Sequence, residues 1–209
     1  MIDQIVVDST TTLEARWDLP QAPRSLIVFC HPHPLQGGTM TAPLLEKIVA
    51  RLVEVDLGVL RFNFRGIGGS TGTWSDGVGE VDDVAAAVQK AQSAHPQLDL
   101  SLIGWSFGAA TALCWQARDQ AFMPYVGIAP PVESDLTPPL PDGGSLAPAR
   151  RKFILGDRDQ FVTVEALTAY ADEIGAEIEI LKASDHFFYF REDKVARAII
   201  DFLDAPASG

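Results

Sequence analysis

The sequence predicts an α/β protein in which a mostly parallel sheet is covered by helices on both faces. From residue 25 onward, apolar runs with the length of buried strands alternate with stretches of helical spacing. Four of these runs lead directly into loops rich in glycine, histidine or aspartate, or into a serine-containing turn. Because ligands bind beyond the carboxyl ends of parallel strands, these four loops are predicted to share one cleft.

The individual elements follow from periodicity, taken in chain order. Alternating apolar residues around threonine-rich turns predict an opening hairpin, and continuous apolar runs predict buried strands. The segment 130–148, rich in proline, glycine and aspartate, is predicted to be a loop. The predicted strands are 2–7, 13–19, 25–30, 58–64, 98–103, 125–129, 153–155 and 177–181; the predicted helices are 41–55, 80–94, one directly after residue 106, 162–174 and 194–203.

Length and composition limit the class of protein. The 209 residues suffice for a sizeable core, so residues 1–209 are predicted to form a single domain. The net charge of −12 argues against a nucleic-acid partner, since phosphate contacts need a concentrated basic face, and it also disfavours an anionic membrane. With neither a signal peptide nor an apolar run of membrane-spanning length, the expected location is the cytoplasm. Cys30 and Cys114 resemble small core residues rather than a disulfide framework.

The segment Gly104-Trp105-Ser106-Phe107-Gly108 is the centre of the predicted site. It has the G-x-S-x-G spacing between a strand and a helix, where a sharp turn projects the serine hydroxyl and glycines permit close approach of the two elements. The helix then begins under Ser106 and directs its free N–H groups at any anion formed there. A serine that merely caps the helix is the alternative, and the strand-to-helix context favours the nucleophile.

A serine nucleophile needs a general base and an acid that orients the base. Among the four histidines, His186 follows the last predicted strand and is the candidate base; a loop histidine packed on its neighbouring phenylalanines is the alternative. Asp157 and Asp159 are the candidate acids on the loop after strand 153–155. Their spacing alone does not separate them, because aspartate is also favoured in turns and helix caps.

Four separated motifs extend this pattern: His31-Pro-His-Pro-Leu-Gln-Gly-Gly, Leu60-Arg-Phe-Asn-Phe-Arg-Gly-Ile-Gly-Gly-Ser-Thr-Gly, Ala129-Pro-Pro-Val and Asp185-His-Phe-Phe. Together with the order serine, aspartate, histidine, they resemble the small, cap-less bacterial α/β hydrolases of the dienelactone-hydrolase-like branch, over about residues 20–203. The resemblance implies an α/β-hydrolase fold without a sizeable cap domain. The family pattern G-x-x-D-x-x-V implies that Asp159 is the acid. Dienelactone hydrolases carry cysteine in the elbow, so serine points to ester or thioester chemistry.

Two N–H donors are expected to bind the oxyanion. One is the backbone N–H of Phe107, the residue after the nucleophile. The other must come from His33 or Leu35, because the two prolines of the loop after strand 25–30 have no N–H. The resemblance to the H-G-x pattern of related hydrolases favours His33. His31 is expected to support this loop from beneath.

The sequence gives less support to other functions of these motifs. Two histidines one residue apart need further ligands to hold a metal, and no histidine or cysteine cluster completes the set, so neither a metal nor a cofactor is expected. The glycine-rich loop after strand 58–64 lacks the spacing of a phosphate-binding motif. Arg65 is expected to hold that loop by an ion pair rather than to bind an acidic substrate.

The sequence therefore predicts a serine hydrolase that cleaves a small carboxylic ester or thioester through an acyl-enzyme. Leu35, Trp74, Trp105 and Phe161 are the candidate neighbours of the acyl group. The partner is a small-molecule substrate, and the sequence does not determine the oligomeric state. The alternatives are a non-catalytic binding or scaffold protein on the same fold and a peptidase-type acyl hydrolase.

Overall fold

Strands and helices alternate from residue 25 onward in the computed structural model, which describes residues 2–206. The predicted domain 1–209 also includes residue 1 and residues 207–209, which lie outside the described part. The strands are β1 (Ile2–Val6), β2 (Thr12–Asp18), β3 (Ser25–Cys30), β4 (Leu57–Phe62), β5 (Leu100–Trp105), β6 (Tyr125–Ile128), β7 (Arg151–Gly156) and β8 (Glu177–Leu181). The helices are α1 (Pro43–Glu54), α2 (Val78–Ala94), α3 (Phe107–Asp119), α4 (Val164–Ile174) and α5 (Glu192–Asp204).

The strands form one sheet in the order β1-β2-β4-β3-β5-β6-β7-β8. β1 and β2 form the predicted antiparallel hairpin, and β2 is antiparallel to β4. From β4 to β8 all neighbours are parallel, which confirms the mostly parallel sheet predicted from the sequence. Parallel strands covered on both faces must be apolar throughout, and all six residues of β5 are buried.

The helices cover the two faces of this sheet. α1 packs against α5, and α2 packs against α3. Because crossovers between parallel strands are right-handed, the reversal of strand order after β4 places these two pairs on opposite faces. The carboxyl ends of β3, β5, β7 and β8 therefore meet at one edge, where the site-bearing loops emerge. None of the helices within residues 2–206 combines the length and apolarity needed to cross a bilayer.

Element boundaries lie within two residues of the predicted ones, and the differences have physical reasons. β7 begins at Arg151, before the predicted residue 153, because its charged first residues are buried. The Arg151 guanidinium donates to Oε1 of Gln116 (3.1 Å) and to the carbonyl of Ala147 (2.8 Å). α2 begins before the predicted residue 80, because the Glu80 carboxylate turns back and accepts the N–H of Gly77 (2.9 Å).

Candidate active site

Ser106 lies at the turn between β5 and α3 in a backbone conformation that few residues other than glycine adopt. Its φ is 53° and its ψ is −118°, and such conformations cost on the order of 1–3 kcal/mol. Its N–H donates to the carbonyl of Ile128 (2.8 Å), and its own carbonyl accepts the N–H groups of Ala109 (2.9 Å) and Ala110 (3.1 Å). The side chain makes no capping bond to the helix. This geometry disfavours the helix-capping alternative.

The glycines of the elbow are required by close packing. A Cβ at position 104 would collide with the carbonyl oxygen of Gly108 and with the backbone of Ala109. A Cβ at position 108 would collide with the carbonyl oxygens at the end of β3, those of Cys30 and His31. The serine is therefore held where strand and helix approach too closely for any side chain, as the motif predicts.

His186 and Asp159 form a buried pair beyond the ends of β7 and β8. Nδ1 of His186 lies 2.8 Å from Oδ2 of Asp159, and the carboxylate is fully buried. The other carboxylate oxygen, Oδ1, accepts the N–H groups of Phe161 (2.8 Å) and Val162 (2.9 Å). With Nδ1 donating to the carboxylate, Nε2 is the ring nitrogen that keeps a free lone pair and can accept a proton.

Asp157, the other candidate acid, does not contact His186. Its carboxylate accepts the N–H of Ser184 at 3.4 Å and lies 3.7 Å from the Lys182 ammonium. The structure thus brings Asp159 to the imidazole and leaves Asp157 outside.

Ser106 and His186 line the same cleft, whose volume is about 520 Å³. Within residues 2–206 the Ser106 hydroxyl has no hydrogen-bond partner, so the two side chains share the cleft without a bond between them. Bonds of this kind often tighten only in the substrate complex. The indole of Trp105 donates to the carbonyl of His186 (3.2 Å) and ties the elbow directly to the histidine loop. Sequence reasoning missed this link; its only signal is the position of Trp105 beside the serine.

His31 fastens the loop after β3 to the end of β4. Its ring is fully buried, Nδ1 donates to the carbonyl of Pro32 (2.7 Å) and Nε2 accepts the N–H of Phe64 (3.0 Å). Burial lowers the pKa of His31 to about 4, so the ring is neutral near pH 7. Both ring nitrogens are thus used in holding the loop, in keeping with the expected supporting role.

His33 organises the same loop through both its backbone and its ring. Nδ1 accepts the N–H of Leu35 (3.2 Å), and the carbonyl accepts the N–H groups of Gln36 (3.1 Å) and Gly38 (3.0 Å). Of the two candidates for the one donor expected on this loop, the N–H of Leu35 is therefore already used. Within residues 2–206, the backbone N–H groups of His33 and Phe107 have no acceptor.

The His33 ring is held by aromatic neighbours. It packs against Trp74 (5.1 Å between ring centroids) and Phe107 (5.2 Å), and burial lowers its pKa. Nε2 is buried and has no hydrogen-bond partner among the described residues. With Leu35 donating to Nδ1, this Nε2 carries the ring proton.

The four predicted substrate neighbours fall into two groups. Trp105 and Phe161 line the cleft. Leu35 and Trp74 do not: Leu35 is 64% exposed, and the Trp74 ring packs against the rings of His33 and Phe107. Sequence reasoning also missed Gln160, Glu133 and Phe187 on the wall. Their signals in the sequence were that Gln160 follows Asp159, that Glu133 belongs to the 130–148 loop and that Phe187 follows His186.

Arg65 holds the glycine-rich loop in place. Its guanidinium makes a two-pronged contact with the buried carboxylate of Asp83 on α2, at 2.6 Å and 3.0 Å. Its backbone N–H donates to the same carboxylate (2.9 Å). These bonds pair the charge of Arg65 with that of Asp83, and Arg65 does not line the cleft.

An elbow serine and a buried histidine–aspartate pair, at the carboxyl edge of a mostly parallel sheet, are the features of the α/β serine hydrolases. The chain belongs to the family described as serine aminopeptidase, S33, which matches residues 21–156. It is also 34% identical over 191 residues to an uncharacterized protein of Rickettsia prowazekii (strain Madrid E), covering 88% of this chain and 79% of that relative.

Two solved structures share the whole fold. An α/β serine hydrolase homologue from Coxiella burnetii is 30% identical with a TM-score of 0.85, and 97% of each chain is covered. An α/β serine hydrolase without a lid from Xanthomonas campestris is 26% identical with a TM-score of 0.83, covering 100% of this chain and 96% of the other. The small, cap-less α/β-hydrolase fold predicted from the sequence is therefore confirmed.

Proposed function

We propose that this serine hydrolase cleaves a small carboxylic ester or thioester through an acyl-enzyme. The hydroxyl oxygen of Ser106 attacks the carbonyl carbon while Nε2 of His186 takes the hydroxyl proton. The alcohol or thiol then leaves with that proton, and water attacks the acyl-enzyme by the same steps in reverse. Asp159 holds the imidazole in the required tautomer. The observation that carries this proposal is the buried His186–Asp159 pair, which shares a cleft with a serine in a strained elbow.

We assign the oxyanion to the backbone N–H groups of His33 and Phe107. Both lack an acceptor within residues 2–206, whereas the N–H of Leu35 is taken by the His33 ring. Each such donor contributes about 3 kcal/mol to the stability of the transition state. Trp105 and Phe161 are proposed to contact the substrate, since both line the cleft. A cytoplasmic location is in keeping with the unpaired thiols of Cys30 and Cys114.

The family description favours a second candidate, the cleavage of a peptide amide, because it names an aminopeptidase. The same nucleophile and base would serve that reaction. Aminoacyl p-nitroanilides and the p-nitrophenyl esters of the same amino acids separate the two when each kcat/KM is divided by the hydroxide-catalysed rate of the same substrate: a larger normalised value for the anilide would select the peptidase.

Labelling with a fluorophosphonate tests the proposed nucleophile. Wild-type protein should label stoichiometrically, and a Ser106→Ala variant with an unchanged circular dichroism spectrum should not label. Hydrolysis of short p-nitrophenyl esters should be lost in the same variant. Folded wild-type protein that neither labels nor turns over any ester would refute the proposal and leave a non-catalytic role.

A further inference from the structure

Three aromatic side chains surround the histidine on the cleft wall. The rings of Phe161, Phe187 and Trp105 lie 4.9, 5.7 and 6.2 Å from the His186 ring, measured between centroids. Phe161 is 60% exposed and Phe187 38% exposed, and all three line the cleft. Phe161 and Phe187 therefore offer accessible aromatic surface to whatever occupies the cleft, whereas Trp105, 6% exposed, is largely covered.

Within residues 2–206, the wall of the cleft carries a negative charge and no lysine or arginine to balance it. Among the lining residues of the described chain, Glu133 is the sole carboxylate, and neither lysine nor arginine is present. Glu133 belongs to the 130–148 loop, whose sequence contains three acidic residues and no basic one. His33 adds no positive charge near pH 7, because burial lowers its pKa.

The lysines and arginines close in sequence to the cleft residues do not line the cleft: Lys47 is paired with Glu192, and Arg191 donates to the carbonyl of Phe190. Arg65 is paired with Asp83, and Lys182, 85% exposed, lies beside Asp157. Arg158 precedes Asp159 directly, yet it does not reach the cleft wall. An anionic substrate would thus find a carboxylate and no counter-charge.

We propose that the cleft selects its ester by charge: a substrate carrying an ammonium group is preferred over its uncharged isostere, and an anionic ester is rejected. The inference rests on the serine hydrolase function proposed above. Aromatic faces attract cations through their quadrupoles, most strongly when the cation carries no tightly bound water, as a quaternary ammonium does. The Glu133 carboxylate adds a direct charge interaction. Coenzyme A thioesters, with their several phosphate charges, should therefore be poor substrates.

Isosteric esters measure this selectivity. Acetylcholine is compared with dimethylbutyl acetate, its uncharged carbon isostere, and with the anionic ester acetoxybutyrate. These esters carry the variable group on the alcohol side. Betaine methyl ester and methyl tert-butylacetate carry the same two groups, a trimethylammonium and a tert-butyl group, on the acyl side. Each kcat/KM is divided by the hydroxide-catalysed rate of the same ester to remove intrinsic reactivity. The expected preference is about fivefold or more for the cation over its isostere in at least one pair, with the anion at least about fivefold below the isostere.

Matched variants locate the interaction. Glu133→Gln should at least halve the ratio of kcat/KM for the cation to kcat/KM for the isostere, whereas Asp135→Asn, the same charge change two residues away and off the cleft wall, should leave this ratio unchanged. Phe161→Leu, which keeps an apolar side chain but removes the aromatic face, should also at least halve the preference. Phe190→Leu is its control, because Phe190 is 87% exposed and does not line the cleft.

Three outcomes would overturn the inference. A normalised ratio near one in both pairs would show that the cleft ignores charge, and equal effects of Glu133→Gln and Asp135→Asn would show that Glu133 makes no direct contact. Turnover of none of these esters by enzyme that labels with fluorophosphonate would also overturn it. Failure to label would instead refute the proposed function, so the two failures are distinguishable.

Discussion

At the scale of single residues, two carboxylates on one loop differ in what they bond to. Asp159 accepts two backbone N–H groups through one oxygen and faces His186 through the other. Asp157 is partly exposed and has one long bond, to Ser184. A carboxylate held on both sides fixes the imidazole, whereas a loosely held one does not.

Exchange of these two carboxylates for amides should therefore have unequal effects. Asp159→Asn permits the wrong imidazole tautomer and should lower kcat by about 10⁴-fold, the loss seen when such an acid becomes an amide. Asp157→Asn, its matched control, should lower kcat by less than about threefold. Steady-state hydrolysis of a p-nitrophenyl ester by both variants is the measurement. Equal losses in the two variants would contradict the assignment of the acid.

His31 should make the stability of the protein depend on pH. Its pKa is about 4 in the folded protein against 6.5 when unperturbed, because burial disfavours the charged ring. The unfolded chain therefore binds more protons between these values, and the stabilisation present above pH 6.5 is lost as the pH falls toward 4. The full effect is up to about 3 kcal/mol.

Urea unfolding between pH 4.5 and 7 tests this dependence. In His31→Phe the free energy of unfolding should be lower at pH 7, because the N–H of Phe64 loses its acceptor, but it should fall less steeply with acid than in the wild type. His95→Gln, at the carboxyl end of α2, is the matched control for the loss of one histidine. A His31→Phe slope identical to the wild type would show that His31 is not the titrating group.

At the scale of elements, the segment of β5, elbow and α3 tolerates no added side chain at the point where α3 passes the end of β3. Gly108→Ala would push a Cβ into the backbone carbonyls at the end of β3, which cannot rotate away. We expect a loss of about 3 kcal/mol or more in the free energy of unfolding, measured by urea denaturation. Gly144→Ala meets only the Asp142 carboxylate at 3.5 Å and should change stability by less than about 0.5 kcal/mol. Near-equal stability of the two variants would contradict the packing argument.

The positions of the strands and helices were the part of the structure that the sequence predicted best. Periodicity predicted the strands and helices because each buries an apolar face, and the elbow because its glycines are demanded locally. It missed the start of β7, since the buried guanidinium of Arg151 is satisfied by Gln116, a partner 35 residues earlier in the chain. Spacing alone left Asp157 and Asp159 unresolved, and the family resemblance selected Asp159; Leu35 and Trp74, predicted as neighbours of the acyl group, do not line the cleft. These outcomes depend on where loops turn in three dimensions, which no spacing in the chain encodes.

At the scale of the whole molecule, the sheet assembles the site from distant parts of the sequence. Ser106 follows β5, Asp159 follows β7 and His186 follows β8, and parallel pairing brings these ends to one edge. The loop of His31 and His33 follows β3, which neighbours β5 on the other side. This strand order puts the loop of His33 and the loop of His186 on opposite sides of Ser106.

The net charge of −12 also acts on the molecule as a whole. Such a field concentrates cations near the surface and is screened by salt, because the Debye length falls from about 30 Å at 0.01 M to about 8 Å at 0.15 M ionic strength. If the cleft prefers a cationic ester, its kcat/KM for acetylcholine should fall about threefold or more over that range of sodium chloride. Dimethylbutyl acetate, the uncharged isostere, should change by less than about 1.5-fold and controls for effects of salt on the enzyme itself. Parallel salt profiles for the two esters would show that the charge of the molecule does not reach the cleft.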